Sequence, residues 1–132
     1  KNICYIYPCN PLINYKKIIE SLNKLKKNNF DKIITVKEFQ YPIQRALELK
    51  KKDKLVFREK KNINVRSQNL KKYFHDAGQI YWYKFSKLNK KSFDSINNNT
   101  GSIILNEFEG YDIDEMNDLK NVRKIYKNKL HL

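Results

Sequence analysis

Glycine is scarce in this 132-residue chain: Gly78, Gly101 and Gly110 are the only three, and they stand far apart. A loop that cradles phosphate with its backbone needs glycines clustered within a few residues, so no Gly-rich phosphate loop is present. Cysteine is nearly as scarce. Cys4 and Cys9 have neither a CxxC partner nor a metal-ligand spacing, which argues against a zinc site. Both read as small buried or half-buried thiols, as in a reducing cytosol. No apolar run approaches the roughly 20 residues of a membrane span. A Ser/His/Asp or Cys/His nucleophile signature is also missing. No signal-peptide pattern is seen, so a cytoplasmic protein is expected. The first residue is Lys1, directly in a strand-like run, which leads us to expect that an N-terminal part is missing.

Arginine is the next shortage. Lys+Arg is 28 against Asp+Glu 14, giving a net charge of +14, yet only Arg45, Arg58, Arg66 and Arg123 contribute guanidinium groups. A phosphate-reading surface usually recruits Arg for bidentate contacts. Here the excess is scattered Lys, accompanied by many Asn and Ile, all products of AT-rich codons. Genomic bias with solvated helix faces accounts for that pattern, and a small basic nucleic-acid-binding module stands as the alternative.

What is present has α/β character. Residues 3 to 7 form a short apolar run, as in a buried parallel strand. Pro8 to Pro11 break it. Asn14 can cap a helix in which Tyr15, Ile18, Ile19, Leu22 and Leu25 recur at helical spacing, ending at Asn28 and Asn29. Residues 33 to 36 are β-branched and strand-like, so a βαβ unit with a right-handed crossover is expected. Residues 41 to 49 look extended, with a return strand at 54 to 57 after a polar turn. Residues 62 to 70 read as loop, 80 to 83 and 102 to 105 as strands, and 97 to 99 as a disordered-looking tip. Met116, Leu119, Val122, Tyr126 and Leu130 mark a C-terminal helix. No internal repeat or linker is visible, so residues 1–132 read as a single domain.

Asp112-Ile113-Asp114 is the strongest chemical signal. On an extended backbone, residues i and i+2 share a face, so both carboxylates project one way with Ile113 turned inward. Such a pair can hold Mg²⁺, which takes one or two carboxylates plus substrate phosphates. The structural alternative is that Asp114 is simply the N-cap of the last helix. Further candidates are His75 and Asp76 before Gly78, Arg66 with Gln68, and the polar ends of residues 41 to 45. His75 and Asp76 could do acid/base work, although neighbours on a strand point apart. Arg66 offers a fork suited to a carboxylate. A turn with a satisfied histidine and a solvated loop are the plainer readings.

Taken in order, residues 3 to 12, Tyr41-Pro42-Ile43-Gln44-Arg45-Ala46-Leu47, Arg66-Ser67-Gln68-Asn69-Leu70, His75-Asp76-Ala77-Gly78-Gln79-Ile80-Tyr81-Trp82 and Asp112-Ile113-Asp114 resemble the acylneuraminate cytidylyltransferases. Within them the pseudaminic acid branch is most similar. The resemblance runs over nearly all of the chain and implies a reaction in which CTP and an acidic nine-carbon sugar give the CMP-sugar and pyrophosphate, with Mg²⁺, for surface glycan biosynthesis. It implies a doubly wound, nucleotidyltransferase-like α/β sheet with flanking helices, N-terminally truncated here, and usually a homodimer. By motif, Asp112 and Asp114 would hold Mg²⁺. Arg66, Gln68, His75, Asp76 and Gln79 would line the sugar pocket, with Gln44 and Arg45 near it, and Pro8, Cys9 and Asn10 would sit by the nucleotide. No membrane or nucleic-acid partner is implied. The family's basic, Gly-containing triphosphate loop has no counterpart among these residues, so this chain by itself is expected to be inactive. Glu115 stands where the family often has Thr or Ser after the acidic pair.

Overall fold

The computed structural model describes residues 1–130, with the side chains of residues 92, 94, 129 and 130 outside the description. The described chain forms two compact units, Lys1–Lys37 with Asp76–Leu132, and Glu38–His75.

The first unit is a mixed α/β assembly. Its strands β1 (Asn2–Ile6), β2 (Lys32–Glu38), β5 (Phe74–Lys84) and β6 (Thr100–Ile104) form one sheet in the order β1-β5-β2-β6. The second unit carries β3 (Leu47–Leu49) and β4 (Leu55–Phe57), an antiparallel hairpin with Leu47 opposite Phe57. β2 and β6 are parallel, with Ile34 opposite Ser102. β1 and β5 are antiparallel, with Tyr5 opposite Tyr81. β5 also runs against β2, because Lys84 bonds to Asp31 while Ile80, four residues earlier, meets Thr35.

This order corrects one expectation. β1 is an edge strand in an antiparallel pair, not a buried parallel strand, and Ile3, Tyr5, Ile6 and Tyr7 are all more than a third exposed. A short apolar run reads alike in either setting, since periodicity cannot tell how many faces are covered. β1 and β2 do share a direction across the helix that links them, but β5 lies between them. β2 is buried from Lys32 to Val36, as a central strand covered on both faces should be.

Helix α1 (Tyr15–Lys27) begins where Asn14 accepts a hydrogen bond from the Lys16 amide at 2.9 Å, satisfying one of the free amides of the first turn. Its last turn carries Lys24, Lys26 and Lys27, the charge the helix C-terminus favours. The buried stripe is narrower than expected: Tyr15 and Ile19 are exposed, and Ser21 is buried instead. The Ser21 hydroxyl donates to the Lys17 and Ile18 carbonyls, so it is buried without an orphaned polar group. Leu25 then packs with Ile33, Ala77, Ile103 and Leu105, with Leu22, Phe30 and Trp82 alongside. Ile34, Val36, Tyr81 and Tyr83 form a second apolar cluster with Leu88. Ile33 and Ile34 therefore belong to different clusters, as alternation along a strand requires.

Two further α-helices are described, short α2 (Lys90–Asp94) and C-terminal α3 (Met116–Leu130). Val122 is the buried anchor of α3, whereas Met116 and Tyr126 are exposed. The apolar position expected at Leu130 lies outside the described side chains. The tip at 97 to 99 is ordered by its own side chains: Asn97 Oδ1 accepts from the Asn99 amide and the Thr100 hydroxyl. Cys4 is half-buried, and burial pushes its thiol pKa up. Cys9 is exposed, because it sits on the loop after the edge strand.

Candidate active site

The acidic segment lies outside any helix or strand, just before α3. Asp112 and Asp114 are exposed and Ile113 between them is half-buried. Ile113 faces an apolar groove formed with Pro11, Leu12, Leu119 and Val122. Its amide donates to the Cys9 carbonyl at 3.1 Å. One backbone bond therefore ties the acidic pair to the loop that the motifs assign to the nucleotide.

Asp114 is not the side-chain cap of α3. Glu115 occupies that place, and its carbonyl accepts from the Asp118 and Leu119 amides. The Asp118 carboxylate reaches back to the Glu115 amide at 2.9 Å and the Asp114 amide at 3.3 Å, the reciprocal half of a capping box. The carboxylates of Asp112 and Asp114 take no hydrogen bond or ion pair among the described residues. No group of three or more His, Cys, Asp or Glu gathers there or elsewhere among those residues. Two exposed, unpaired carboxylates two residues apart suit a cation such as Mg²⁺, which completes its shell with water and phosphate.

The loop is fastened on its other side by Asn10, which is 4% exposed. Its Nδ2 donates to the Gly78 carbonyl at 2.9 Å, and its Oδ1 accepts from Gln79 Nε2 at 3.4 Å. Gln79 is itself buried, so Asn10 and Gln79 act as a clasp between loop and strand. Gly78 adopts a φ of 60°, a left-handed conformation that costs other residues free energy. A Cβ there would meet no atom within 4 Å, so the requirement is conformational. The kink lets Asp76 Oδ1 accept from the Gly78 amide at 2.9 Å and from the Tyr81 hydroxyl at 2.8 Å. Burial, and then the Asp76 carboxylate, push the Tyr81 phenol well above its ordinary pKa.

Asp76 also lines a cavity of about 280 Å³ with Tyr5, Tyr7, Tyr81, Tyr83 and Phe93. The Tyr7 ring meets Tyr5 and Tyr81 edge-on at 5.2 and 5.6 Å, and Tyr83 stacks on Phe93 at 5.3 Å. Trp82 turns away from this set and donates to the Ile18 carbonyl. Sequence reasoning did not single out this cavity. Its only trace is the repeat of tyrosine at alternate positions, 5 and 7 in one segment and 81 and 83 in another, which places four rings on one side of paired strands.

The other candidates belong to the second unit. There Arg45 Nη1 donates to the Ser67 hydroxyl at 3.2 Å, joining the two motif segments 41 to 47 and 66 to 70. Gln44 is buried, and its Nε2 donates to the Lys71 carbonyl at 2.7 Å, while its Oε1 has no partner among the described residues. Arg66 and Gln68 are exposed. Gln68 borders a cavity of about 240 Å³ with Tyr41 and Pro42. His75 is exposed, with its ring 5.0 Å from Phe39. Of the expected site residues, Pro8, Cys9, Asn10, Asp76, Gln79, Asp112 and Asp114 lie on the first unit; Gln44, Arg45, Arg66, Gln68 and His75 lie on the second.

Comparison with known proteins bears on the same motifs. A pseudaminic acid cytidylyltransferase of Campylobacter jejuni subsp. jejuni serotype O:23/36 is 29% identical over 126 residues, which is 96% of this chain and 54% of that protein. The protein of the same name from serotype O:2 matches to the same extent. The chain is similar to pseudaminic acid cytidylyltransferases. A Helicobacter pylori protein described as a pseudaminic acid cytidylyltransferase and UDP-2,4-diacetamido-2,4,6-trideoxy-beta-L-altropyranose hydrolase is 32% identical over 82 residues, 61% of this chain and 16% of that protein. No family model matches. The chain spans about half the length of the Campylobacter relatives. The resemblance read from the ordered motifs is thus borne out by relatives that align with nearly every residue.

Proposed function

We propose that this chain belongs to a nucleotidyltransferase that moves CMP from CTP to a nonulosonic acid of the pseudaminic or sialic acid type, releasing pyrophosphate. The observation that carries the reading is the bond from the Ile113 amide to the Cys9 carbonyl, which sets two unpaired carboxylates beside the loop of Pro8, Cys9 and Asn10. The names of the relatives support the same reaction class. We read the four-stranded sheet as part of a doubly wound nucleotidyltransferase fold, whose ligands gather at loops that follow strands.

Asp112 and Asp114 would hold Mg²⁺, and a bound ion supplies charge neutralisation at the phosphates. The Asn10–Gln79 clasp holds the nucleotide loop in place, so that positioning carries much of the catalysis. The tyrosine cavity receives the acceptor sugar: aromatic faces cover its C–H surfaces, and phenol groups exchange hydrogen bonds with its hydroxyls. Asp76 accepts from a sugar hydroxyl or amide N–H at the cavity wall.

The test is direct. The full-length protein, with CTP, Mg²⁺ and pseudaminic acid or N-acetylneuraminic acid, should release pyrophosphate and form the CMP-sugar from at least one acid. Absence of product with both acids across millimolar Mg²⁺ would refute the assignment.

A further inference from the structure

One wall of the tyrosine cavity is built by a segment that should not hold itself in place. Phe93 lies on α2, a helix of five residues, and so short a helix has little stability of its own in water. Yet its ring is well fixed, stacked on Tyr83 with an interplanar angle of 7° and edge-on to Tyr5 at 5.5 Å. The Tyr83 hydroxyl donates to the Phe93 carbonyl at 3.5 Å, and the shorter bond to that carbonyl comes from Lys32 at the start of β2. Its Nζ donates to the Phe93 carbonyl at 3.1 Å and the Ser95 carbonyl at 3.4 Å. The same ammonium sits 5.1 Å from the Tyr83 ring centroid and 5.9 Å from that of Tyr81. Alternation puts Lys32 on the face of Ile34 and Val36, where an apolar residue would be the ordinary choice. Lys32 is nonetheless only 6% exposed. A buried ammonium is tolerated only when acceptors replace its water, and here those acceptors are carbonyls of the cavity wall.

We infer that Lys32 is a positioning residue: its ammonium fastens the Phe93 segment to β2 and so gives the cavity its ligand-contacting wall. The inference rests on the acceptor role proposed above for this cavity, and two readouts separate the parts.

Trypsin cuts after Lys87, Lys90 and Lys91 report on the segment without any ligand. Lys32→Met keeps the stem and removes the donors, and should speed these cuts about tenfold, the fold-change of losing a hydrogen bond to a charged group. Trp82 fluorescence shows whether the variant is folded. In turnover by the full-length protein, KM for pseudaminic acid should rise about tenfold, for the same reason, with kcat much less affected and KM for CTP unchanged. If Lys32→Met does not fold, the wild-type protein decides, because saturating pseudaminic acid should slow the same cuts. Unchanged cleavage in a folded Lys32→Met overturns the inference, and so does a sugar that is turned over without protecting the segment. A wild-type protein that makes no CMP-sugar overturns the acceptor role of the cavity, while faster cleavage in Lys32→Met would still establish the fastening.

Discussion

Thr35 joins two halves of the main sheet with its side chain. It is fully buried, and so is Ile80 opposite it. The Thr35 hydroxyl accepts from the Ile80 amide at 2.9 Å and donates to the Ile80 carbonyl at 3.3 Å. Thr35→Val keeps the shape and removes both bonds, so it opens no cavity and isolates the polar term. Each backbone group left unpaired in the interior costs roughly 1–3 kcal/mol. The added methyl returns about 1 kcal/mol of apolar burial. The net loss expected is about 1–5 kcal/mol, a large share of the roughly 5–15 kcal/mol that holds a domain folded. Urea unfolding followed by Trp82 fluorescence is the assay, because the chain's one tryptophan lies on the same strand as Ile80. With a slope of about 2 kcal/mol per molar urea, the midpoint should fall by roughly 0.5–2.5 M at unchanged slope. Thr35→Ser retains the hydroxyl and should cost only about 1 kcal/mol for the lost methyl. The reasoning is refuted if Val is tolerated better than Ser.

Three further outcomes follow from single contacts. Asp118→Ala removes the carboxylate that reaches back to the Glu115 amide and should cost about 1 kcal/mol, read as a lower thermal midpoint; an unchanged midpoint would remove the capping role. Asp112→Asn and Asp114→Asn should each lower Mg²⁺-dependent turnover by about 100-fold without changing the unfolding midpoint by more than about 0.5 kcal/mol, as surface changes rarely do; full activity in either variant would reject its metal assignment. Tyr81 provides a pH prediction. Its folded pKa is raised above the unfolded value of about 10, so its neutral phenol contributes stability that is complete below pH 10 and lost as pH rises beyond it. Unfolding free energies should therefore fall above pH 10, and Tyr81→Phe should lack that part of the loss. An identical alkaline slope in both proteins would contradict the assignment.

Much of the fold was legible because local chemistry was decisive. Asn14 caps α1 as its position implied, and the polar stretch before residue 54 is the turn of the β3–β4 hairpin. The β-branched run after Asp31 is the buried central strand. Misreadings arose where exposure depends on distant partners. Residues 3 to 7 have the composition of a buried strand, yet among the described residues β1 pairs with one strand, β5, brought from more than 70 residues away. Asp114 looked like a helix cap because Asp caps well, but the cap is completed by Asp118, three residues beyond Glu115, whose side chain points back.

By itself the residue order determined the α/β elements, the acidic pair at i, i+2 spacing, the motif order shared with the pseudaminic acid cytidylyltransferases and the absence of a Gly-rich loop. These depend on backbone propensity and on i, i+2 or i, i+4 neighbours, which a sequence carries explicitly. Only the tertiary structure decided that Cys9 meets Ile113, that Asn10 clasps Gln79, and that four tyrosines, Phe93 and a buried Lys32 enclose one cavity. Those contacts join segments up to about a hundred residues apart. Their closure depends on strand order and register, quantities set by the packing of the whole sheet rather than by any stretch of the chain.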